Sequence, residues 1–338
     1  MDNTPVLQVK ELRTHFKTER GKVTAVDGVS FSLNEGEILG IVGESGCGKS
    51  VTSQSILRLF DEKYLTAYEG EIIFRGKNLL KASNAEMEKL RGNNISMIFQ
   101  DPLSSLNPVF TIGQQITEAI LLHEKTTKKE AYQKAIEMLK LTGIPAPEKR
   151  INEYPHELSG GMRQRVMIAM ALACKPRVLI ADEPTTALDV TIQAQILELM
   201  LELKKETGMA IIFITHDLGV VAEICSRVAV MYLGQIVEEA DINNLFESPN
   251  HPYTMGLIKS IPQLDGDRKK ELNVIPGTVP SLNNVPKGCR FATRCEFADS
   301  KCQEEMPELI TCGENRKVRC WHYETIKTGG ENFVFTNN

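Results

Sequence analysis

At 338 residues the chain is long for one domain, so a large core with a smaller appended module is the first expectation. Its 39 basic and 44 acidic residues give a net charge of -5 with no Lys/Arg-rich stripe, which argues against nucleic acid as the main partner. The opening MDNTPVLQVKELRTHF lacks a basic segment followed by an apolar run, and no stretch of about eighteen apolar residues occurs, so any membrane association is expected to go through a partner.

Short apolar, β-rich runs alternate with helical stretches. Ile38 to Val42 precedes a helix from Lys49 to Phe60, Ile95 to Phe99 forms a second run, Val178 to Asp182 leads to a helix from about Val190 to Glu206, and Ile211 to Thr215 is a further strand. The runs are continuous rather than alternating, which predicts a parallel sheet covered on both faces and hence an α/β core. Residues 103–175 read as helical, including Lys129 to Leu141 and Met162 to Cys174, and predict a helical subdomain inserted in that core. Ser248-Pro-Asn-His-Pro-Tyr has the composition of a linker. The expected division is a nucleotide-binding domain over 1–250, a C-terminal extension over 251–327 beginning with a helix from Tyr253 to Lys259, and a polar tail over 328–338.

Gly43-Glu44-Ser45-Gly46-Cys47-Gly48-Lys49-Ser50 follows an apolar strand and opens a helix, the context that makes a Gly-rich pattern a phosphate loop. Backbone N–H groups turned inward and the helix N-terminus, through Val51, cradle phosphate oxygens; Lys49 reaches the terminal phosphates and Ser50 ligates Mg²⁺. ATP and Mg²⁺ are therefore the expected ligands. Val178-Leu-Ile-Ala-Asp182-Glu183 ends a buried strand in two acids, assigning Asp182 to the metal and Glu183 to the base that acts on water. His216, after Ile211-Ile-Phe-Ile-Thr, is placed to contact the γ-phosphate, or else sits at a helix start that Asp217 caps. Gln100 ends its strand as an amide available to Mg²⁺ or water. Leu158-Ser159-Gly160-Gly161-Met-Arg-Gln-Arg165 makes a second anion-suited helix start, read either as a cradle for a facing subunit's nucleotide or as N-capping by Ser159.

LSGGMRQR, GESGCGKS, LIADEPTTALD and ITHDL together resemble the ATP-binding subunits of ABC transporters, over roughly Val6 to Phe246. That resemblance implies that Ser159, Gly160 and Gly161 contact ATP on the opposite subunit, that Asp189 links the two sites, and that Phe16 stacks on adenine, with extra residues around Thr18 to Lys22 loosening the alignment. It also makes Gln100-Asp-Pro-Leu-Ser-Ser-Leu-Asn-Pro108 the loop that passes movement to membrane subunits. The alternatives are a soluble ABC ATPase of DNA repair or translation, which would carry two cassettes or a basic arm, and a small-molecule kinase, which would not need LSGGM.

Of eight cysteines, five (Cys289, Cys295, Cys302, Cys312 and Cys320) crowd the C-terminal end, and a reducing compartment favours metal ligation over disulfides. Cys289-x5-Cys295-x6-Cys302-x17-Cys320 leaves Cys312 spare and suits zinc or an iron–sulfur cluster, with His322 as a possible substitute ligand and Phe291, Phe297 and Trp321 as shields. HPYTMGL, IPGTVPSL and GCRFATRC resemble the extension of oligopeptide and dipeptide permease ATPases, with nickel importers as runner-up. That resemblance implies a [4Fe-4S] cluster on the four cysteines, a second ATP-binding subunit of different sequence, two transmembrane permease subunits, an extracytoplasmic peptide-binding protein, and a peripheral location at the cytoplasmic face of the membrane.

Overall fold

The structure is a computed structural model that describes residues 4–19, 21–101, 105–185, 189–261 and 274–327. In chain order the elements are β1 Leu7–Thr18, β2 Gly21–Leu33, β3 Ile38–Val42, α1 Lys49–Ile56, β4 Thr66–Phe74, β5 Lys77–Asn78, α2 Asn84–Leu90, β6 Ile95–Ile98, α3 Ile112–His123, α4 Lys128–Leu141, α5 Pro147–Arg150 and α6 Gly160–Leu172. They continue with β7 Val178–Asp182, α7 Val190–Thr207, β8 Ala210–Thr215, α8 Leu218–Ile224, β9 Arg227–Tyr232, β10 Gln235–Asp241, α9 Ile242–Glu247, α10 Pro252–Lys259, α11 Ser300–Glu304, β11 Ile310–Gly313, β12 Arg316–Val318 and α12 Tyr323–Lys327. The described residues fall into two compact units, one drawn from 1–8, 32–38 and 73–214 and the other from 9–31, 39–72 and 215–338.

In the first unit β6, β7 and β8 are parallel neighbours, with Ile95 opposite Val178 and Val178 opposite Ala210. Every residue of β7 is buried, as the continuous apolar run required. Helix α3 starts where Thr111 and Gln114 form a reciprocal capping box, and α4 where Thr127 and Glu130 do the same. The stripe Ile112, Ile116 and Ile120 of α3 is fully buried, and α4 packs on both α3 and α6. Helix α6 begins at Gly160 rather than Met162 because the Ser159 hydroxyl already accepts the Met162 N–H at 3.4 Å.

In the second unit β3 pairs parallel with β9, while β9, β10, β12 and β11 form an antiparallel run. Strands β2, β1 and β4 lie side by side in a separate sheet. These strands do not show as continuous apolar runs, because β1 buries only alternate residues over much of its length. Strand β10, Gln-Ile-Val-Glu-Glu-Ala-Asp, was missed because Glu238 and Glu239 interrupt its apolar pattern, although both are buried. Glu238 accepts backbone N–H bonds from Asn250 at 2.8 Å and His251 at 2.9 Å, which accounts for its tolerance inside. Helix α1 stops at Ile56, short of Phe60, where Leu57 caps it and Arg58 turns to a φ of +49°.

Candidate nucleotide site and cysteine pocket

Strand β3 delivers the chain into the phosphate loop and α1 carries it away. Gly43 has a φ of +152°, and a Cβ there would lie 2.2 Å from the Met231 carbonyl oxygen, so only glycine fits. Gly48, at +102°, would meet the Ala25 carbonyl at 2.9 Å. Lys49 is buried, and its ammonium donates to the carbonyls of Gly43 at 2.7 Å and Glu44 at 3.2 Å, with the Cys47 sulfur 3.9 Å away. Burial raises the Cys47 thiol, so it is a neutral packing group. Ser45 and Gly46 remain exposed at the mouth of the loop, and Ser50 and Val51 lie in the first turn of α1.

Also in this unit, Phe16 is half-buried and meets Phe60 edge to face, the centroids 4.9 Å apart. Of the extra residues around Thr18 to Lys22, Thr18 ends β1 and Gly21 begins β2, and the Thr18 hydroxyl donates to the Gly21 carbonyl at 2.8 Å. His216 is exposed, and the following Asp217 caps α8 by accepting the N–H groups of Gly219 and Val220 at 2.8 and 3.3 Å.

In the first unit Asp182 is buried at the end of β7, and Glu183 follows with its N–H donated to the Ile214 carbonyl at 2.9 Å. The Gln100 amide donates to the Glu183 carboxylate at 3.0 Å, so two of the residues chosen from sequence meet. A third link was not anticipated: Gln164 of α6 donates to the Pro184 carbonyl at 2.5 Å, tying the Ser-Gly-Gly helix to the Asp-Glu-Pro segment. Asp189 caps α7 by accepting the Ile192 N–H at 2.9 Å. Part of the loop from Gln100 to Pro108, residues 102–104, lies outside the described residues, as do residues 186–188.

Cys289, Cys295, Cys302 and Cys320 line one pocket together with Phe291, Phe297, Trp321, His251 and His322. These are the four cysteines named from the spacing and the family resemblance, and Cys312 is not among them; its sulfur accepts the Asn250 amide at 3.3 Å. Burial pushes Cys295 and Cys320 up to about 12 and Cys302 up to about 11, while the neighbouring thiols add to the rise. Four cysteines lining one pocket with aromatic walls, Cys302 buried and the other three partly buried, suit sulfur ligation of a metal or cluster. Asp299, Cys302 and His322 bring their ligand atoms within 4.8 Å of one another and offer a smaller donor set; His322 also pairs with Asp299 at 3.0 Å.

Residues 26–186 match the ABC transporter family and residues 237–302 match the oligopeptide/dipeptide transporter C-terminal region. The oligopeptide transport ATP-binding protein OppD of Bacillus subtilis is 55% identical over 94% of this chain and 89% of its own length. The chain belongs to the ATP-binding subunits of ABC transporters. The dipeptide transport ATP-binding protein DppD of Bacillus subtilis is 52% identical, with 94% of each chain covered. A dimeric ATP-binding cassette in a post-hydrolysis state with ADP and Pi matches with a TM-score of 0.64 at 28% identity, over 70% of this chain and 98% of that one. The fold is thus that of the ABC ATPase cassette, and the reaction is ATP hydrolysis coupled to transport. Among the described residues no helix is long and apolar enough to cross a membrane.

Beyond Gln164, the sequence reading overlooked Arg290, Arg294 and Tyr253, all within the second unit. Arg294 grips the Glu44 carboxylate at 2.7 and 3.0 Å, and the Tyr253 hydroxyl accepts the Glu44 N–H at 2.8 Å. Each arginine adjoins a pocket cysteine in the chain, the one signal that could have drawn attention to them.

Proposed function

We propose that this cassette drives uptake of di- or oligopeptides across the cell membrane. One observation carries the reading: an intact phosphate loop and an oligopeptide/dipeptide transporter C-terminal region occur in one chain that is 55% identical to OppD along most of its length. The partners would be a second ATP-binding subunit of different sequence, two permease subunits and an extracytoplasmic peptide-binding protein, with the chain at the cytoplasmic face of the membrane. The test is reconstitution with the permease subunits in vesicles. Peptide-loaded binding protein should raise ATP hydrolysis and labelled peptide should accumulate; accumulation of nickel instead would overturn the peptide reading.

In the proposed cycle the amides of residues 43–51 and Lys49 bind the triphosphate, and Ser50, Gln100 and Asp182 manage Mg²⁺. Glu183 polarises the attacking water, and His216 orients the γ-phosphate. Ser159, Gly160 and Gly161 would close over the nucleotide of the opposite subunit, Asp189 would link the two sites, and Phe16 would support adenine. The intact Glu183 and Ser-Gly-Gly turn support a catalytically competent subunit.

Cys289, Cys295, Cys302 and Cys320 are the residues that would hold a [4Fe-4S] cluster, which when bound would supply a rigid crosslink among the stretches that carry them. Their shared pocket supports this assignment, and zinc is the competing occupant. Anaerobic purification with absorbance, iron and sulfide analysis separates the two.

A further inference from the structure

We propose that Arg294 is a positioning residue for the phosphate loop, and that through it ATP affinity depends on the integrity of the cysteine pocket. This rests on ATP binding at residues 43–51 and not on the peptide reading.

The Arg294 side chain is 3% exposed and that of Glu44 31%. Both guanidinium Nη groups engage the Glu44 carboxylate, Nε donates to the Pro276 carbonyl at 2.8 Å, and Nη2 reaches the Ile275 carbonyl at 3.3 Å. A two-pronged pair of this kind fixes orientation as well as distance. Its first consequence is geometric, because Glu44 is the second residue of the loop whose amides must face phosphate. The second is electrostatic. An unpaired Glu44 carboxylate would stand beside a polyanion, and Arg294 supplies the compensating charge.

The pocket reaches the same loop by three routes. Cys289 and Cys295 bracket the turn Ala292–Arg294, with the Cys289 N–H bonded to the Cys302 carbonyl at 2.7 Å, so the backbone bearing Arg294 is held at both ends by pocket residues. Phe291, a wall of the pocket, packs on Tyr253 at 5.3 Å, and Tyr253 accepts the Glu44 N–H. Arg290 pairs with Asp27 and donates to the Leu233 carbonyl, while the next residue, Gly234, donates its N–H to the Cys47 carbonyl at 2.8 Å. A disturbed cysteine pocket would therefore shift the two arginines that contact the loop and the residues beside it.

The experiment measures equilibrium binding of a fluorescent ATP analogue with Mg²⁺ to the full-length chain, with circular dichroism to verify folding. Arg294→Gln should weaken binding roughly tenfold, the order expected for losing a charge-assisted bond. Adding Glu44→Gln to that variant should recover most of the loss by removing the uncompensated charge. Cys289→Ser with Cys295→Ser should weaken binding about threefold in the native background and by less in the Arg294→Gln, Glu44→Gln background, since coupled sites are not additive. Native affinity in a folded Arg294→Gln variant, no recovery by Glu44→Gln, or an equal cysteine effect in both backgrounds would each overturn the proposal. Should Arg294→Gln fail to fold, Arg294→Lys keeps the charge but loses the fork, and unchanged affinity in that variant is equally fatal. Absence of ATP binding by the native chain would instead strike the nucleotide site itself.

Discussion

The Gln100 amide donates to the Glu183 carboxylate at 3.0 Å, and Glu183 holds that position with a φ of +48°, a conformation few non-glycine residues adopt. Buried Asp182 before it and the Ile214 carbonyl that accepts its N–H keep the backbone there. An acid held in a strained conformation at the end of a buried strand and oriented by an amide is consistent with the base role proposed for Glu183.

Glu183→Gln keeps the size and the left-handed backbone but cannot take a proton. ATP binding should stay near native while phosphate release falls at least about a hundredfold, the usual lower range for losing a general base. Equilibrium nucleotide binding and a steady-state phosphate assay together check this; near-native turnover would remove Glu183 from that role.

The pocket makes an equally sharp forecast about which cysteines matter. Serine at Cys289, Cys295, Cys302 or Cys320 should each lower bound iron or zinc per chain, whereas Cys312→Ser should leave it unchanged, because Cys312 lies on β11 against Asn250 and outside the pocket. Elemental analysis of the five purified variants decides. Loss of metal from Cys312→Ser would redraw the ligand set, with His322 the next candidate because its ligand atom lies within 4.8 Å of those of Cys302 and Asp299.

What could be read in advance was whatever the chain spells locally. Strand β7 is all apolar up to Asp182, and the phosphate loop needs glycine where Met231 and Ala25 crowd its backbone, so both were visible as patterns. The crowding of cysteines near the C-terminal end was legible, and the resemblance to peptide-permease ATPases singled out the four that share a pocket. Strand β10 was not, because its buried Glu238 is satisfied by backbone groups of Asn250 and His251, a tertiary fact with no local signature. Nor was the grip of Arg294 on Glu44, which joins residues 250 positions apart.

Glu86 closes the capping box of α2 with Ser83 and pairs with Lys77 at 2.5 Å, contacts that hold its carboxyl down to about 2. A folded-state value below the unfolded one gives stability that is present above about 4.5 and is lost as pH falls toward 2. The thermal midpoint of the native chain should exceed that of Glu86→Ala at pH 7, and the gap should narrow as pH falls from about 4.5 toward 2. A gap independent of pH would mean that the ionised carboxylate contributes nothing to the cap.

Phe291 is 3% exposed and packs edge to face on Tyr232 at 5.2 Å and tilted on Tyr253 at 5.3 Å, so one ring joins β9, α10 and the cysteine pocket. Phe291→Ala should cost about 3–5 kcal/mol, the range for emptying a well-packed aromatic site, and Phe291→Leu should cost less because most of the volume stays filled. The chain's one tryptophan, Trp321, lines the same pocket and donates to the Glu305 carbonyl at 3.1 Å, so its fluorescence reports unfolding of this unit directly. In urea the midpoint should fall in the order native, Leu, Ala with a constant slope. If Phe291→Ala unfolds at the native midpoint, the ring is not part of a packed core, and the route from pocket to Tyr253 to Glu44 loses its middle member.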